Sequence, residues 1–324
     1  MQYRFATALC LAATTCLAGT AHAQDAASYP SKPVRVMVAL APGGAVDIQA
    51  RLFSQKLTES LRQPFVVENR PSAGGADAFG LVAKAAPDGH TLLAVNPSFT
   101  LPQDFSKNLP DPVKDFAPIS LLTRAPLLLV VHPSVPVKSA RDWLALARAR
   151  PGQLNFGGSP NGSQLHLGAL WFFSLAKIKV AYIPYKGTGP AMIALLGGET
   201  DVSIVSIVSV GAHVKSGRLR ALGVTSMQRS QTMPNLPSIA EQGVPGFDYI
   251  SFFGFVAPAG TPAAIVNKLS SELARTIHNR ELADKLKDDG AEPVGGTPDE
   301  FRQFIAAEVP RWRKIVQDNG IKSE

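Results

Sequence analysis

Beyond residue 23 the chain has no cysteine; its two, Cys10 and Cys16, both precede that point. A chain starting after residue 23 would have no thiol to pair, oxidise or ligate a metal, so its core must be held by packing. Histidine is equally unhelpful for metal binding. His90, His132, His166, His213 and His278 stand singly, none paired at i+3 or i+4, so neither a metal nor another cofactor is expected. No Gly-Lys-Ser/Thr follows Ala41-Pro42-Gly43-Gly44, and G-x-G-x-x-G is missing, which leaves no nucleotide-binding signature. Gly157-Gly158-Ser159-Pro160-Asn161 approaches the hydrolase elbow but ends in Asn161 where glycine is required. His166 lies too near in sequence to serve as the usual remote base, and with no set of acid, base and nucleophile the chain is not expected to be an enzyme. Lys and Arg form no basic run and do not alternate with aromatics, so no nucleic-acid partner is expected.

No apolar run reaches the ~20 residues of a spanning helix. The run from Phe5 to Leu17 follows a lone charge, Arg4, and leads to the small-residue site Ala21-His22-Ala23. Residues 1–23 therefore read as a secretory signal peptide cleaved after Ala23, giving a periplasmic protein. A lipid anchor on Cys16 is the alternative, but Ala13-Thr14-Thr15 lacks the aliphatic and small residues that precede such a cysteine.

What remains is ample. The 324 residues are 45% hydrophobic, enough for two domains. Removing Arg4 takes the formal charge from +7 to +6, a field that draws anions. From Val34 short apolar runs, glycine-containing turns and helical stretches alternate, the pattern of an α/β fold with a mostly parallel sheet. Strands are expected at Val34–Leu40, Phe65–Glu68, Thr91–Val95, Leu154–Phe156, Val180–Ile183, Asp201–Val205 and Arg220–Thr225. Ile48, Leu52, Phe53, Leu57 and Leu61 recur at helical spacing after the Gly43-Gly44 turn. Ser139 with Asp142, Thr261-Pro262, and the capping box Thr297-Pro298-Asp299-Glu300 open further helices, the last expected to kink at Pro310. Two long apolar segments, Leu121–Val131 and Tyr249–Ala257, read as crossings between domains. They divide the chain into residues 24–124 and 250–324, a discontinuous first domain carrying the C-terminal helices, and an inserted second domain, residues 125–249.

Turns rich in Gly, Ser, Thr and Asn follow the strands at Ala41 to Asp47, Pro71 to Asp77, Asn96 to Thr100, Gly158 to Ser163 and Lys186 to Gly189. Each exposes backbone N–H groups at a helix N-terminus, and in parallel sheets such turns gather at the carboxyl ends of the strands, where ligands bind. For one turn alone, tight-turn glycines and a capping Ser or Asn are sufficient explanation. The expectation of a site rests on many turns converging.

At these turns the sequence resembles the Bug solute receptors, the TctC-like extracytoplasmic receptors of tripartite tricarboxylate transporters. The resemblance runs through Tyr29-Pro30-Ser31-Lys32-Pro33, Ala41-Pro42-Gly43-Gly44 with Asp47, Val67-Glu68-Asn69-Arg70-Pro71 and Lys84-Ala85-Ala86-Pro87-Asp88-Gly89. It continues at Leu154-Asn155-Phe156, Pro184-Tyr185-Lys186-Gly187, Leu195-Leu196-Gly197-Gly198, Leu219-Arg220-Ala221-Leu222 and Phe255-Val256-Ala257-Pro258-Ala259-Gly260-Thr261-Pro262. It implies a type II periplasmic binding-protein fold closing on a small carboxylate, delivery to membrane permease subunits, and a monomer. A periplasmic sensor feeding a membrane signalling protein would share these features.

Carried onto this sequence, the resemblance implies ligand contacts at Ala41, Gly43, Gly44 and Asp47, and at Ser159, Asn161, Gly162 and Ser163. Asp47 reads as an orienting group, because a second negative charge in a closed cleft would repel a carboxylate, and Lys186 as structural or at the hinge face. Val46 and Val205 stand where members often have a threonine and an acid. Ser98, Ser206, Ser209 and Phe252 are placed in the cleft by position. Aliphatic side chains at 46 and 205, with Phe252, predict a carboxylate whose body is apolar or aromatic.

Overall fold

A computed structural model describes residues 28–72, 75–101, 109–161, 163–288 and 290–320. Residues 1–23 with their cleavage site lie outside these, as does Gly162. Among the described residues no helix is long and apolar enough to cross a membrane.

The fold begins with two parallel units. Strand β1 (Val34–Val38) leads through a glycine turn to α1 (Ala45–Leu61), then β2 (Phe65–Asn69), α2 (Ala76–Ala83) and β3 (Thr91–Val95). β1 pairs in parallel with both β2 and β3. Strand β4 (Phe116–Val131) opens the next stretch, followed by α3 (Ala140–Ala149), β5 (Asn155–Gly158), α4 (Gln164–Ala176), β6 (Ala181–Pro184) and α5 (Thr188–Leu196). After these come β7 (Val202–Ser206), α6 (Ile207–Lys215) and β8 (Arg220–Val224). The chain returns along β9 (Ile250–Pro258) and ends with α7 (Ala263–Ile277), α8 (Arg280–Asp288), β10 (Glu292–Pro293) and α9 (Pro298–Asp318).

All ten strands join one sheet, in the order β2-β1-β3-β9-β4-β7-β5-β6, with β8 and β10 also on β4. The parallel strands predicted from sequence are present, but antiparallel pairing joins them: β9 lies between β3 and β4 and opposes both. β4 is the common member. Its Phe116–Pro126 stretch pairs β9, and Leu127–Val131 pairs β7 and β8. One strand thus carries the chain from the β2-β1-β3-β9 half of the sheet to the β7-β5-β6 half.

The two connections between halves meet at Thr225, which is fully buried. Its Oγ1 accepts from Leu127 N (2.8 Å) on the outgoing strand and donates to Tyr249 O (2.6 Å) on the returning one. Its own N–H donates to Leu127 O and its carbonyl accepts from Tyr249 N, each at 2.9 Å. Nearby, the Tyr249 hydroxyl donates to Gln164 Oε1 at 2.7 Å. Burial pushes that phenol well above its ordinary pKa, so it stays a donor.

Local signals account for most helix starts. Ser139 caps α3 through Asp142 N, and Thr297 and Glu300 form the expected reciprocal box at α9. At α7 the N-cap is Pro262, one residue later than the Thr261 cap expected. On α1, Phe53 and Leu57 are buried, whereas Ile48, assigned by spacing to the buried face, is 46% exposed. α9 runs on through Pro310. Its Phe301 and Ile305 enter a core with Phe79, Phe99 and Phe252. Two to three turns later Trp312 and Val316 enter another, with Trp171, Phe247 and Tyr249. A single helix therefore fastens both halves of the sheet, each buried aromatic contributing about 2–3 kcal/mol relative to exposure.

Replacing Thr225 by Val keeps the shape but strands two buried backbone groups, at about 1–3 kcal/mol each. Urea denaturation is expected to show Thr225→Val destabilised by about 3 kcal/mol and Thr225→Ser by much less. A loss in Thr225→Val no larger than that in Thr225→Ser would show that the hydroxyl's hydrogen bonds contribute no more than the packing of the methyl.

Candidate functional site

The parallel strands fix where their following turns lie. β1 and β3 end at one edge of their half, and β5, β6 and β7 at one edge of theirs, so the glycine and serine turns form two clusters. The clusters face one another. A Cβ placed on Gly44, at the start of α1, would lie 3.7 Å from Thr188 Oγ1, at the start of α5.

The β1–α1 turn is shaped by one carboxylate. Asp47 is buried in the first turn of α1. Its Oδ2 accepts from Gly43 N and Arg51 Nε, and its Oδ1 from Asn69 Nδ2, each at 3.0 Å. Arg51 also forms an ion pair with it at 3.0 Å, and Asn69 reaches on to Leu40 O. Burial raises the carboxyl pKa, but the Arg51, Gly43 and Asn69 hydrogen bonds outweigh it and the net shift is downward. With these partners, Asp47 is set to hold the loop. Gly43 has φ +85°, the left-handed region that favours glycine. Gly44 has φ −81°, open to any residue, and a Cβ there would make ordinary contact with Thr188 Oγ1, so a longer side chain at 44 would occupy the space beside Thr188.

Three helix starts in the two clusters have no side-chain cap: α1 after Gly44, α5 after Gly187 and α6 after Ser206. Their first amides point out of the helix ends unpaired by side chains, and the aligned peptide dipoles favour negative charge there. α4 differs, since Ser163 Oγ accepts from His166 N at 3.2 Å. Ser159 is buried at the end of β5, where its carbonyl accepts from Tyr182 Oη at 2.7 Å. These groups are hydrogen-bond donors and hydroxyls, a chemistry that suits an anionic oxygen. Among the described residues no group of three or more His, Cys, Asp or Glu could hold a metal.

The sequence candidates separate into two sets. Ala41, Gly43 and Asn161 are exposed, and Gly44, Val46, Ser98, Ser163, Ser206 and Ser209 are half-buried, on the turns or first helical residues at the two edges. Ser98 already has its N–H bound to Asn96 Oδ1 at 3.2 Å. Val205 and Phe252 lie elsewhere. Val205 packs with Leu128, Val130, Met192 and Val224, and Phe252 against the Phe301 and Phe304 rings, at centroid distances of 6.4 and 4.9 Å. Both side chains are consumed by the core because each strand is covered by a helix on the face to which they point. Val46 also leans on a core, that of α1 and α7. Thr188 and Asn69 were not singled out as site residues, although the Lys186–Gly189 turn and the Glu68-Asn69-Arg70 motif contained them.

Comparison with known proteins identifies the family. Residues 49–321 match the family described as "Tripartite tricarboxylate transporter family receptor". The chain is similar to Protein BugT of Bordetella pertussis, 37% identical over 94% of each chain. Among solved structures it resembles R. palustris Rpa4515 with adipate, with a TM-score of 0.86 at 34% identity, covering 90% of this chain and 98% of that one. It also resembles MatC from Rhodopseudomonas palustris with bound malate, with a TM-score of 0.81 at 32% identity, covering 89% and 100%.

The lowered pKa of Asp47 gives its contribution a direction in pH. Stability from the ionised form is complete above the unfolded-state value near ~3.9 and is lost as pH falls through the lower folded-state value. Asp47→Asn is expected to be less stable than wild type by about 2 kcal/mol at pH 7. That gap should narrow in denaturation curves taken below about pH 4. A gap independent of pH would show that the charge contributes nothing.

Proposed function

The chain belongs to the tripartite tricarboxylate transporter receptor family, and from that premise we propose that it captures a small aliphatic carboxylate between its two facing turn clusters. It is a solute-binding receptor, and its family is periplasmic. The supporting observation is the opposition of Gly44 and Thr188, which brings uncapped helix starts from both halves of the sheet to one place. Backbone N–H groups of α1, α5 and α6, with Ser159, Asn161, Ser163, Ser206 and Ser209, would hold the carboxylate oxygens. Adipate and malate in the two solved relatives set the expected size. With Val205 and Phe252 occupied by packing, the case for an aromatic body no longer applies to this cleft, and only Val46 favours a hydrocarbon surface.

Capture closes one lobe on the other in this reading. Residues 24–124 with 250–324 form one lobe, residues 125–249 the other, and the chain crosses at Leu127 and Tyr249 beside Thr225. The closed receptor, a monomer released after cleavage at Ala23, then delivers its cargo to the membrane permease subunits.

A thermal-shift screen of dicarboxylates and monocarboxylates tests the ligand class. At about 100 times its dissociation constant a ligand adds ~2.7 kcal/mol, a rise of several degrees in Tm for a chain of this size. Gly44→Leu, which the backbone accepts and whose side chain would fill space beside Thr188, is expected to keep the unliganded Tm and lose the ligand shift. Small-angle scattering of the wild type should show compaction with ligand and none in the variant. Carboxylate binding undiminished in Gly44→Leu would place the site away from these turns.

A further inference from the structure

We propose that the cavity between the crossing strands and α9 is a second binding site, for a small planar carboxylate held by Arg124. The cavity has a volume of about 210 Å³ and is lined by Arg124, Asp248, Ile250, Phe252, Phe304, Glu308 and Arg311. That is the liquid volume of about seven waters at ~30 Å³ each, room for a carboxylate on a single ring but not for a larger metabolite.

Arg124 is the cation of this cavity whose buried Nε has no acceptor among the described residues. Its guanidinium carbon lies 4.7 Å from the centre of the Phe304 ring, and its Nε is buried without a hydrogen-bond acceptor. The acids around it are committed elsewhere. Glu308 takes Arg311 Nη1 at 2.7 Å on one oxygen and Trp312 Nε1 at 3.2 Å on the other. Asp248 Oδ1 accepts from Met227 N at 2.9 Å, and its Oδ2 lies 3.7 Å from Arg311, whose Nη2 also donates to Asp248 O at 2.6 Å. Glu292 stands across from Arg124 in the β10–β4 register yet forms no ion pair with it among those of the described residues. A partly buried guanidinium without an acceptor is costly, and a carboxylate matches its fork with two parallel N–H···O bonds.

The walls select the body. Phe252 and Phe304 meet edge to face at 4.9 Å, and Ile250 completes an apolar corner beside the cation. A flat ring stacks there at little cost, whereas a polyhydroxylated or tricarboxylate anion would bury unpaired oxygens against it. The pocket is also separate from the cleft. Phe252 packs on the α2 and α9 side of its half-sheet, whereas α1, which carries Gly44, packs on the other. Phe252, a cleft candidate by position, thus takes its place in a different site.

The probe is 4-fluorobenzoate, followed by fluorine NMR with the intact protein. Wild type is expected to broaden and shift its resonance in a saturable titration. Arg124→Gln should weaken binding at least tenfold, and Arg124→Lys, which keeps the charge but not the fork, by a smaller factor. Far-UV circular dichroism and Tm verify that both variants fold. Gly44→Leu, which obstructs the cleft, should bind the probe as wild type does. Binding lost in Gly44→Leu would assign the probe to the cleft and overturn the proposal. So would unchanged affinity in Arg124→Gln and Arg124→Lys, or no titration with wild type, whereas failure of adipate and malate to bind bears on the cleft alone.

Discussion

Two passages of chain connect the halves of this sheet, and one buried hydroxyl satisfies both. Thr225 accepts from Leu127 as the chain leaves and donates to Tyr249 as it returns, so the relative placement of two otherwise separate cores is set where the backbone is thinnest. Elsewhere the link is through side chains, chiefly the aromatic residues of α9. A narrow polar junction beside a clamping helix is an arrangement that can bend.

In the proposed site the anion is held without a lysine or arginine reserved for it. Asp47 draws on Arg51, Asn69 and the Gly43 amide to fix the first turn, while the N-cap Gly44 has no side chain to cap the amides beyond it. Fixed dipoles need no reorganisation when the ligand arrives, and unlike a bare cation they do not attract every passing anion equally. Glycine serves two ends in neighbouring positions: conformation at Gly43, clearance at Gly44.

Local signals were legible in the sequence, and long-range ones were not. Strand β3, Thr91–Val95, and the Thr297 capping box follow from short-range patterns and appear where expected. The apolar segment expected at Leu121–Val131 begins five residues after β4 does, because Pro118 breaks the apolar pattern ahead of it; the strand tolerates that proline at an irregularity in its register with β9. β10, two residues long, has no periodicity to detect. The site was legible as a set of turns, since glycine, serine and asparagine after a strand have local causes. Val205 and Phe252 were misjudged because which face of a strand meets a helix depends on partners far along the chain. Thr188 could not be picked from its turn by any local rule; only the approach of Gly44 from the other half marks it.

The antiparallel pairing of β3 with β9 has a consequence for biogenesis. Leu93 finds its partner in Val256, and the whole of β4 through β8 lies between them in sequence. A chain emerging amino end first leaves the apolar edge of β3 open until β9 arrives, and the Phe116–Pro126 stretch of β4 waits for the same strand. An open apolar edge recruits other chains, and long-range closure is slow. Passage across a membrane in the unfolded state would favour this topology, since both partners could be shielded until the chain is whole.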